Sequence, residues 1–301
     1  MAHIYPYTYF GNQLVSHADA KLSVASSAVL YGLSVYTVFH VTVHNGRYLA
    51  FRLEDHYRRL VHSCNIIGID TFSEDWPYEA FRSAMTKLLH KNIPTGNVFV
   101  RASFHIDTEL PGTRSRGLAA VLSAFVYDAD PILPTDNIKL GVSSWRRTPD
   151  ISIPARAKVN GGYVNSVLAR QAALDQGYDD AIFLDENGHV TELSAANIFI
   201  VRDGTLITPG QSADILEGIN RRTIIELATQ EGISTQERPL DRTELYIANE
   251  IFVTGTSAFI AQVESVDGRP IGPAHPITDR LRPLYQSALT NPDSVYLDEL
   301  L

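Results

Sequence analysis

Pairs of turn-forming residues cut this chain into short segments: Gly11-Asn12, Asn45-Gly46, Asn187-Gly188, Asp203-Gly204 and Asp267-Gly268. Each lies beside apolar or alternating runs, the pattern of strands joined by tight turns. The run Val35-Tyr36-Thr37-Val38-Phe39-His40-Val41-Thr42-Val43 turns at Asn45-Gly46 into residues 47–51, which reads as a hairpin. Alternation puts Tyr36, Val38 and His40 on one of its faces and Val35, Thr37, Phe39 and Val41 on the other. A further strand at 97–104 places Phe99, Arg101 and Ser103 together. An arginine among Val98, Val100, Ala102 and Phe104 requires an anionic partner or a solvated edge. Helical spacing is confined to residues 54–67, 78–91, 163–176 and 221–231, with a short helix near 243–249. Short strands interleaved with a few helices predict a mixed α/β (α+β) chain with a barrel-like second half.

At 301 residues the chain has length for two domains with substantial cores. Residues 128–136, rich in proline and acid and without periodicity, read as the linker between a domain at 1–127 and one at 137–301. The net charge of −9, with no lysine or arginine run, argues against nucleic acid and anionic membranes as partners. No stretch reaches the ~18 apolar residues of a membrane span. The N-terminus has neither a basic nor an apolar leader region, so a cytoplasmic location is expected. The single cysteine, Cys64, excludes an intrachain disulfide and multi-cysteine metal sites, and it reads as the buried side of a helix. No metal site is expected.

The stretch Ile153-Pro154-Ala155-Arg156-Ala157-Lys158-Val159-Asn160-Gly161-Gly162-Tyr163 delivers one lysine onto a glycine turn that opens a helix. Val164, Val167, Leu168, Ala172 and Leu174 recur along that helix, which stops at Gly177. A lysine held on a shaped turn against the protein body can become an amine nucleophile that forms a Schiff base. By itself the turn reads more readily as a solvated lysine between two elements. Two later segments resemble anion holders. Gly218-Ile219-Asn220 precedes a helix, where unbonded N–H groups favour phosphate, and Gly255-Thr256-Ser257 forms a tight turn with N–H and hydroxyl donors. Glu192 follows a strand signal in an apolar setting and needs a cationic partner. A lysine, an acid and two phosphate-type turns are the requirements of a pyridoxal 5′-phosphate site.

The ordered set of motifs resembles the class IV aminotransferases, the fold-type IV pyridoxal phosphate enzymes, and is most similar to their branched-chain amino acid members. It comprises Asp19-Ala20-Lys21, Tyr31-Gly32-Leu33-Ser34-Val35-Tyr36, Phe51-Arg52-Leu53-Glu54-Asp55-His56-Tyr57-Arg58-Arg59-Leu60, the lysine stretch, Thr191-Glu192-Leu193-Ser194-Ala195-Ala196-Asn197, Gly218-Ile219-Asn220-Arg221 and Gly255-Thr256. The resemblance implies a small α/β domain followed by a larger pseudo-barrel domain, and a homodimer. It implies Lys158 as the cofactor lysine and proton shuttle, Glu192 as the partner of the pyridine nitrogen, and Tyr163 as the phenol at the 3′-oxygen. Arg59 matches the phosphate-binding arginine, Leu216 the residue against the ring, and Gly218, Ile219, Asn220, Gly255 and Thr256 the phosphate segments. The substrate set would be Tyr31, Tyr36, Val38, His40, Phe99 and Arg101, with Arg114 and Arg116 on a nearby loop. Arg101 would help receive the carboxylate of an amino donor or a 2-oxo acid acceptor such as 2-oxoglutarate. Where branched-chain enzymes usually read Phe-Glu-Gly-Ile-Arg, this chain reads Tyr36-Thr37-Val38-Phe39-His40. That Tyr-x-Val pattern resembles the (R)-selective amine transaminases and leaves open an amine or D-amino acid transaminase. An aminodeoxychorismate lyase and a non-catalytic binder are the remaining alternatives.

Overall fold

The computed structural model describes residues 2–301, as two compact units. One comprises Met1–Asp130, Ala157–Gly162 and Ala288–Leu301; the other comprises Pro131–Arg156 and Tyr163–Ser287. The changeover at Asp130 falls within the linker-like segment. By contacts, the lysine turn Ala157–Gly162 and the C-terminal Ala288–Leu301 group with the first unit.

The first unit contains β1 (Ile4–Phe10), β2 (Gln13–Ser16), α1 (Ser27–Tyr31), β3 (Ser34–His44), β4 (Arg47–Phe51), α2 (Leu53–Ile67), α3 (Phe72–Asp75), α4 (Tyr78–Asn92), β5 (Val98–Ile106) and β6 (Ala120–Asp128). Its antiparallel sheet runs β16-β4-β3-β5-β6-β1-β2, closed at one edge by the C-terminal β16 (Leu297–Leu300). One face is apolar. Val35, Phe39 and Val41 of β3, with Val98, Val100, Ala102 and Phe104 of β5, pack with Leu60 and Cys64 of α2 and Met85, Leu88 and Leu89 of α4. Burial of this kind contributes roughly 1.5–3 kcal/mol per large side chain. Cys64 is buried as expected, and its desolvation pushes the thiol up to about 12. The opposite face presents Tyr36, Val38 and His40 beside Phe99 and Arg101, in the register Val38↔Arg101 and His40↔Phe99. Arg101 therefore stands on the face turned away from the helices, which is how the strand accommodates a cation.

The second unit contains β7 (Ile138–Arg146), α5 (Tyr163–Asp175), β8 (Asp180–Leu184), β9 (Val190–Leu193), β10 (Asn197–Arg202), β11 (Thr205–Thr208), α6 (Ile219–Gln230), β12 (Thr235–Glu237), β13 (Glu250–Gly255), β14 (Phe259–Val266) and β15 (Arg269–Pro270), and most of α7 (Pro276–Thr290). Its sheet runs β12-β11-β10-β13-β14-β7-β8-β9, mixing parallel and antiparallel pairs, with β15 against β14. The short helix expected near 243–249 is a 3-10 helix, Arg242–Ile247. Helix α5 departs from its sequence reading. The residues that pack are Ser166, Ala169 and Ala173, whereas Val164 and Val167 are 65% and 64% exposed. The apolar stripe of α5 faces out because small residues, not large ones, allow the helix to lie close to β8.

Candidate active site

The residues singled out in the sequence fall into two sets, one in each unit. In the first unit the lysine segment joins the sheet as a short extra strand. Val159 bridges Val35, the Lys158 carbonyl accepts from the Tyr36 N–H at 3.0 Å, and the Lys158 N–H donates to Ser63 Oγ at 3.0 Å. The following turn is fixed by two glycines. A Cβ on Gly32, which has φ +67°, would come within 2.7 Å of the Gly161 Cα and is excluded, while a Cβ on Gly161 would press at 3.3 Å on the Gly32 carbonyl oxygen. Gly32 ends α1, which places the half-exposed Tyr31 beside the lysine turn.

Arg59 projects from α2 and donates to Thr37 Oγ1 at 3.3 Å, while its carbonyl accepts from Ser63, the residue that also holds the Lys158 amide. Arg58, its neighbour, is exposed and pairs with Glu54. The two guanidinium groups are thereby separated, that of Arg59 turned to β3 and that of Arg58 to solvent.

On the sheet face, the Arg101 Cζ and the Lys158 Nζ lie 3.7 and 4.8 Å from the centre of the same Tyr36 ring. Arg101 donates to Asn160 Oδ1 at 2.6 Å, and Asn160 Nδ2 donates to Ser34 Oγ at 2.6 Å. Among the described residues no carboxylate lies within ion-pair distance of Arg101. Burial holds His40 down to about 4, so it is neutral near pH 7. His105, also on this face, is held at about 4 by burial first and by the Arg101 charge second. Arg101 is therefore a permanent cation on this part of the face, beside the Lys158 amine, with Val38 and the fully buried Phe99 next to it. Arg114 and Arg116 do not join this set. Both are exposed on the loop after β5, and Arg116 lies beside Gly68 at the end of α2.

In the second unit Glu192 is buried on β9 and paired with Arg147, whose Nη2 is 2.7 Å from its Oε1. Asn197 Nδ2 and the Leu216 N–H also donate to it, at 3.0 and 3.2 Å. The cationic partner required for Glu192 is thus Arg147, a residue the sequence reading did not single out. Only its position just before the lysine stretch could have suggested it. Arg147 Nε also donates to the Asp214 carbonyl, so the guanidinium is held from two sides.

Helix α6 starts at Ile219 with Gly218 as N-cap and no side-chain cap, although Ile219, Asn220 and Arg221 are buried. A buried helix N-terminus with unbonded N–H groups is built to receive an anion. Gly218 has no room for a side chain, because a Cβ would collide with Asn197 Oδ1. Gly255 is similarly confined, its Cβ position lying 3.1 Å from the Ala195 carbonyl. Asn220 Nδ2 donates to Thr256 Oγ1 at 3.2 Å, and the buried Tyr285 hydroxyl donates to Asn220 Oδ1 at 2.8 Å. This pair joins the helix terminus to the turn after β13, so the two phosphate-type segments form one cradle. Arg221, which follows them, points away to Glu237 and the Pro209 carbonyl. Tyr163 opens α5 and is half-buried.

The chain matches the family model for amino-transferase class IV over residues 34–266. It is 32% identical to a probable branched-chain-amino-acid aminotransferase of Synechocystis, over 97% of this chain and 95% of that protein. The crystal structure of the branched-chain aminotransferase of Thermoproteus uzoniensis with norvaline superposes with a TM-score of 0.93 at 32% identity, covering 99% of this chain and 100% of that one. The holo form of the Thermobaculum terrenum enzyme with pyridoxal phosphate superposes with a TM-score of 0.91 at 29% identity, covering 99% of each chain. Likeness of this extent, in sequence and in fold together, leaves one assignment: the chain belongs to the class IV aminotransferases.

Proposed function

We propose that this pyridoxal phosphate-dependent aminotransferase transfers the amino group of branched-chain and similar hydrophobic L-amino acids to a 2-oxo acid such as 2-oxoglutarate. The observation that carries the substrate reading is Arg101, a cation with no carboxylate partner among the described residues, which shares the Tyr36 ring with Lys158. A substrate carboxylate is the natural counter-charge for it, and Val38 and Phe99 beside it suit an aliphatic side chain. The relatives are branched-chain enzymes, which does not favour the amine and D-amino acid alternatives suggested by Tyr36 and Val38, nor the lyase or the binder.

The residues fit the family's cofactor, because the uncapped α6 terminus and the Gly218 and Gly255 cradles are what a phosphate needs. Gly218, Ile219, Asn220, Gly255 and Thr256 would hold that phosphate. Glu192 would sit at the ring nitrogen, Tyr163 at the 3′-oxygen and Leu216 against the ring. When bound, the pyridoxal ring supplies an electron sink for charge developing at the substrate α-carbon. Lys158 supplies the amine that holds the cofactor, and its Nζ then takes and returns a proton at that carbon. Arg147 keeps Glu192 in place from behind. Tyr31, Tyr36 and His40 shape the pocket around the substrate, with His40 entering as a neutral imidazole.

The homodimer belongs to the same reading. Val164, Val167, Leu168 and Leu174 form an exposed apolar stripe on α5, with Ile151 93% exposed nearby in sequence. Such a stripe is suited to cover by a second copy. Among the described residues no helix is long and apolar enough to cross a membrane, and we place the enzyme in the cytoplasm.

The test is a half-reaction screen of the wild type and Arg101→Leu with L-amino acids, D-amino acids and (R)-1-phenylethylamine. Loss of a desolvated arginine–carboxylate contact should lower kcat/KM for L-leucine by roughly 2–4 kcal/mol, on the order of 30- to 1,000-fold. The amine should lose little. An equal loss for both substrate types would overturn the assignment of Arg101.

A further inference from the structure

Asn160 stands two residues after Lys158 and holds Arg101 through a neutral oxygen, at 2.6 Å. Its own amide is anchored on Ser34 Oγ at 2.6 Å, and Ser34 is buried at the start of β3. The other side of the guanidinium rests on the Tyr36 ring, 3.7 Å from its centre. The Tyr36 N–H in turn donates to the Lys158 carbonyl. The arginine and the lysine are therefore tied to one another by a closed circuit of Lys158, Asn160, Arg101 and Tyr36.

Two features of this circuit have consequences for substrate choice. First, both groups that orient Arg101 are uncharged. An amide oxygen and a ring face fix the direction of a guanidinium but leave its positive charge uncompensated, whereas a carboxylate in the same place would neutralise it. Of the five N–H donors of Arg101, the described residues engage one in a hydrogen bond, so donors remain for a two-point contact. Second, Asn160 sits on the lysine turn itself. The distance between the cation and the reactive amine is thus set locally, by two residues of backbone and one side chain.

We propose that Asn160 is a positioning residue that sets carboxylate specificity, by aiming Arg101 without discharging it and by fixing its offset from Lys158. The proposal deepens the reading of Arg101 as the carboxylate receptor and rests on it. An aspartate at this position would keep the size and the acceptor oxygen, and the Ser34 hydroxyl could donate to it in place of the lost amide. It would also place a carboxylate on Arg101, in competition with the substrate. An alanine would release the guanidinium from its aim.

The experiment uses the holoenzyme and its Asn160→Asp, Asn160→Ala and Arg101→Leu variants. Calorimetric titration with 4-methylpentanoate, an aliphatic carboxylate without an amino group, reports carboxylate binding independently of turnover. For Asn160→Asp we expect a loss of binding of about tenfold or more, with a matching rise in KM for L-leucine, a smaller change in kcat and a melting temperature equal to or above the wild type. Asn160→Ala should weaken binding less and lower the melting temperature. A merely structural asparagine predicts instead that Asn160→Asp leaves carboxylate binding and the KM for L-leucine untouched; that result overturns the proposal. If Arg101→Leu itself binds 4-methylpentanoate like the wild type, the reading of Arg101 fails. If Arg101→Leu loses binding and Asn160→Asp does not, Asn160 alone is refuted.

Discussion

Removal of Arg147 measures how the buried carboxylate of Glu192 is supported. The Glu192 side chain is 7% exposed and that of Arg147 15%, with 2.7 Å between their charged atoms. Breaking a buried ion pair from one side typically costs about 3–5 kcal/mol, because the remaining charge is left in a poorly solvating place. Arg147 keeps a rim of solvent contact, through which water can reach the vacated space. Asn197 and the Leu216 N–H continue to donate to Glu192. Arg147→Met should therefore destabilise the protein by about 2–4 kcal/mol, or lower its melting temperature by roughly 4–12 °C. The decisive assay is a double-mutant cycle with Glu192→Gln, which removes the charge and preserves the shape. With no charge left to strand, the double variant should be more stable than the sum of the single losses predicts, with a coupling of at least about 1.5 kcal/mol. Single losses that add to within about 0.5 kcal/mol would refute the argument that Arg147 compensates Glu192.

Lys158→Ala should abolish transamination and the yellow absorbance of lysine-bound cofactor; a variant that keeps both would place the reactive amine elsewhere. Glu244→Gln tests a structural cluster. The hydrogen bond from Arg238, with further help from Arg202, holds the Glu244 carboxyl at about 2, below its ordinary 4.5. A depressed carboxyl stabilises the folded state above its ordinary value and loses that contribution as pH falls through the folded one. The wild type should thus exceed the variant in stability at pH 7, with the difference shrinking between about pH 5 and pH 2, as followed by thermal melts. If the proposed homodimer forms through the exposed stripe of α5, Val167→Glu, which places a charge there, should shift the sedimentation coefficient towards that of a monomer; an unchanged coefficient would refute that interface.

The local features of this protein were determined by its sequence. Strand alternation put Arg101 on the face of β5 opposite Val98, Val100 and Ala102, since the side-chain period of a strand is independent of what covers it. Turn chemistry marked Lys158 and the Gly218 and Gly255 segments, because a backbone that must come close to another group excludes a Cβ wherever it occurs in the chain. What joins distant segments was decided by tertiary structure alone. Arg147 meets Glu192, and Asn160 meets Arg101, only because the strands and turns that carry them are brought together by the fold. Neither pairing leaves a trace in spacing, as an arginine or an asparagine has many geometrically suitable partners along the chain. The same holds for β16, which completes the first sheet from the far end of the sequence. Helix α5 shows the limit of periodicity most directly. A stripe of Val164, Val167 and Leu168 specifies an apolar face, but whether this chain covers it depends on which side of the helix fits against β8, and the small Ala169 and Ala173 fit there.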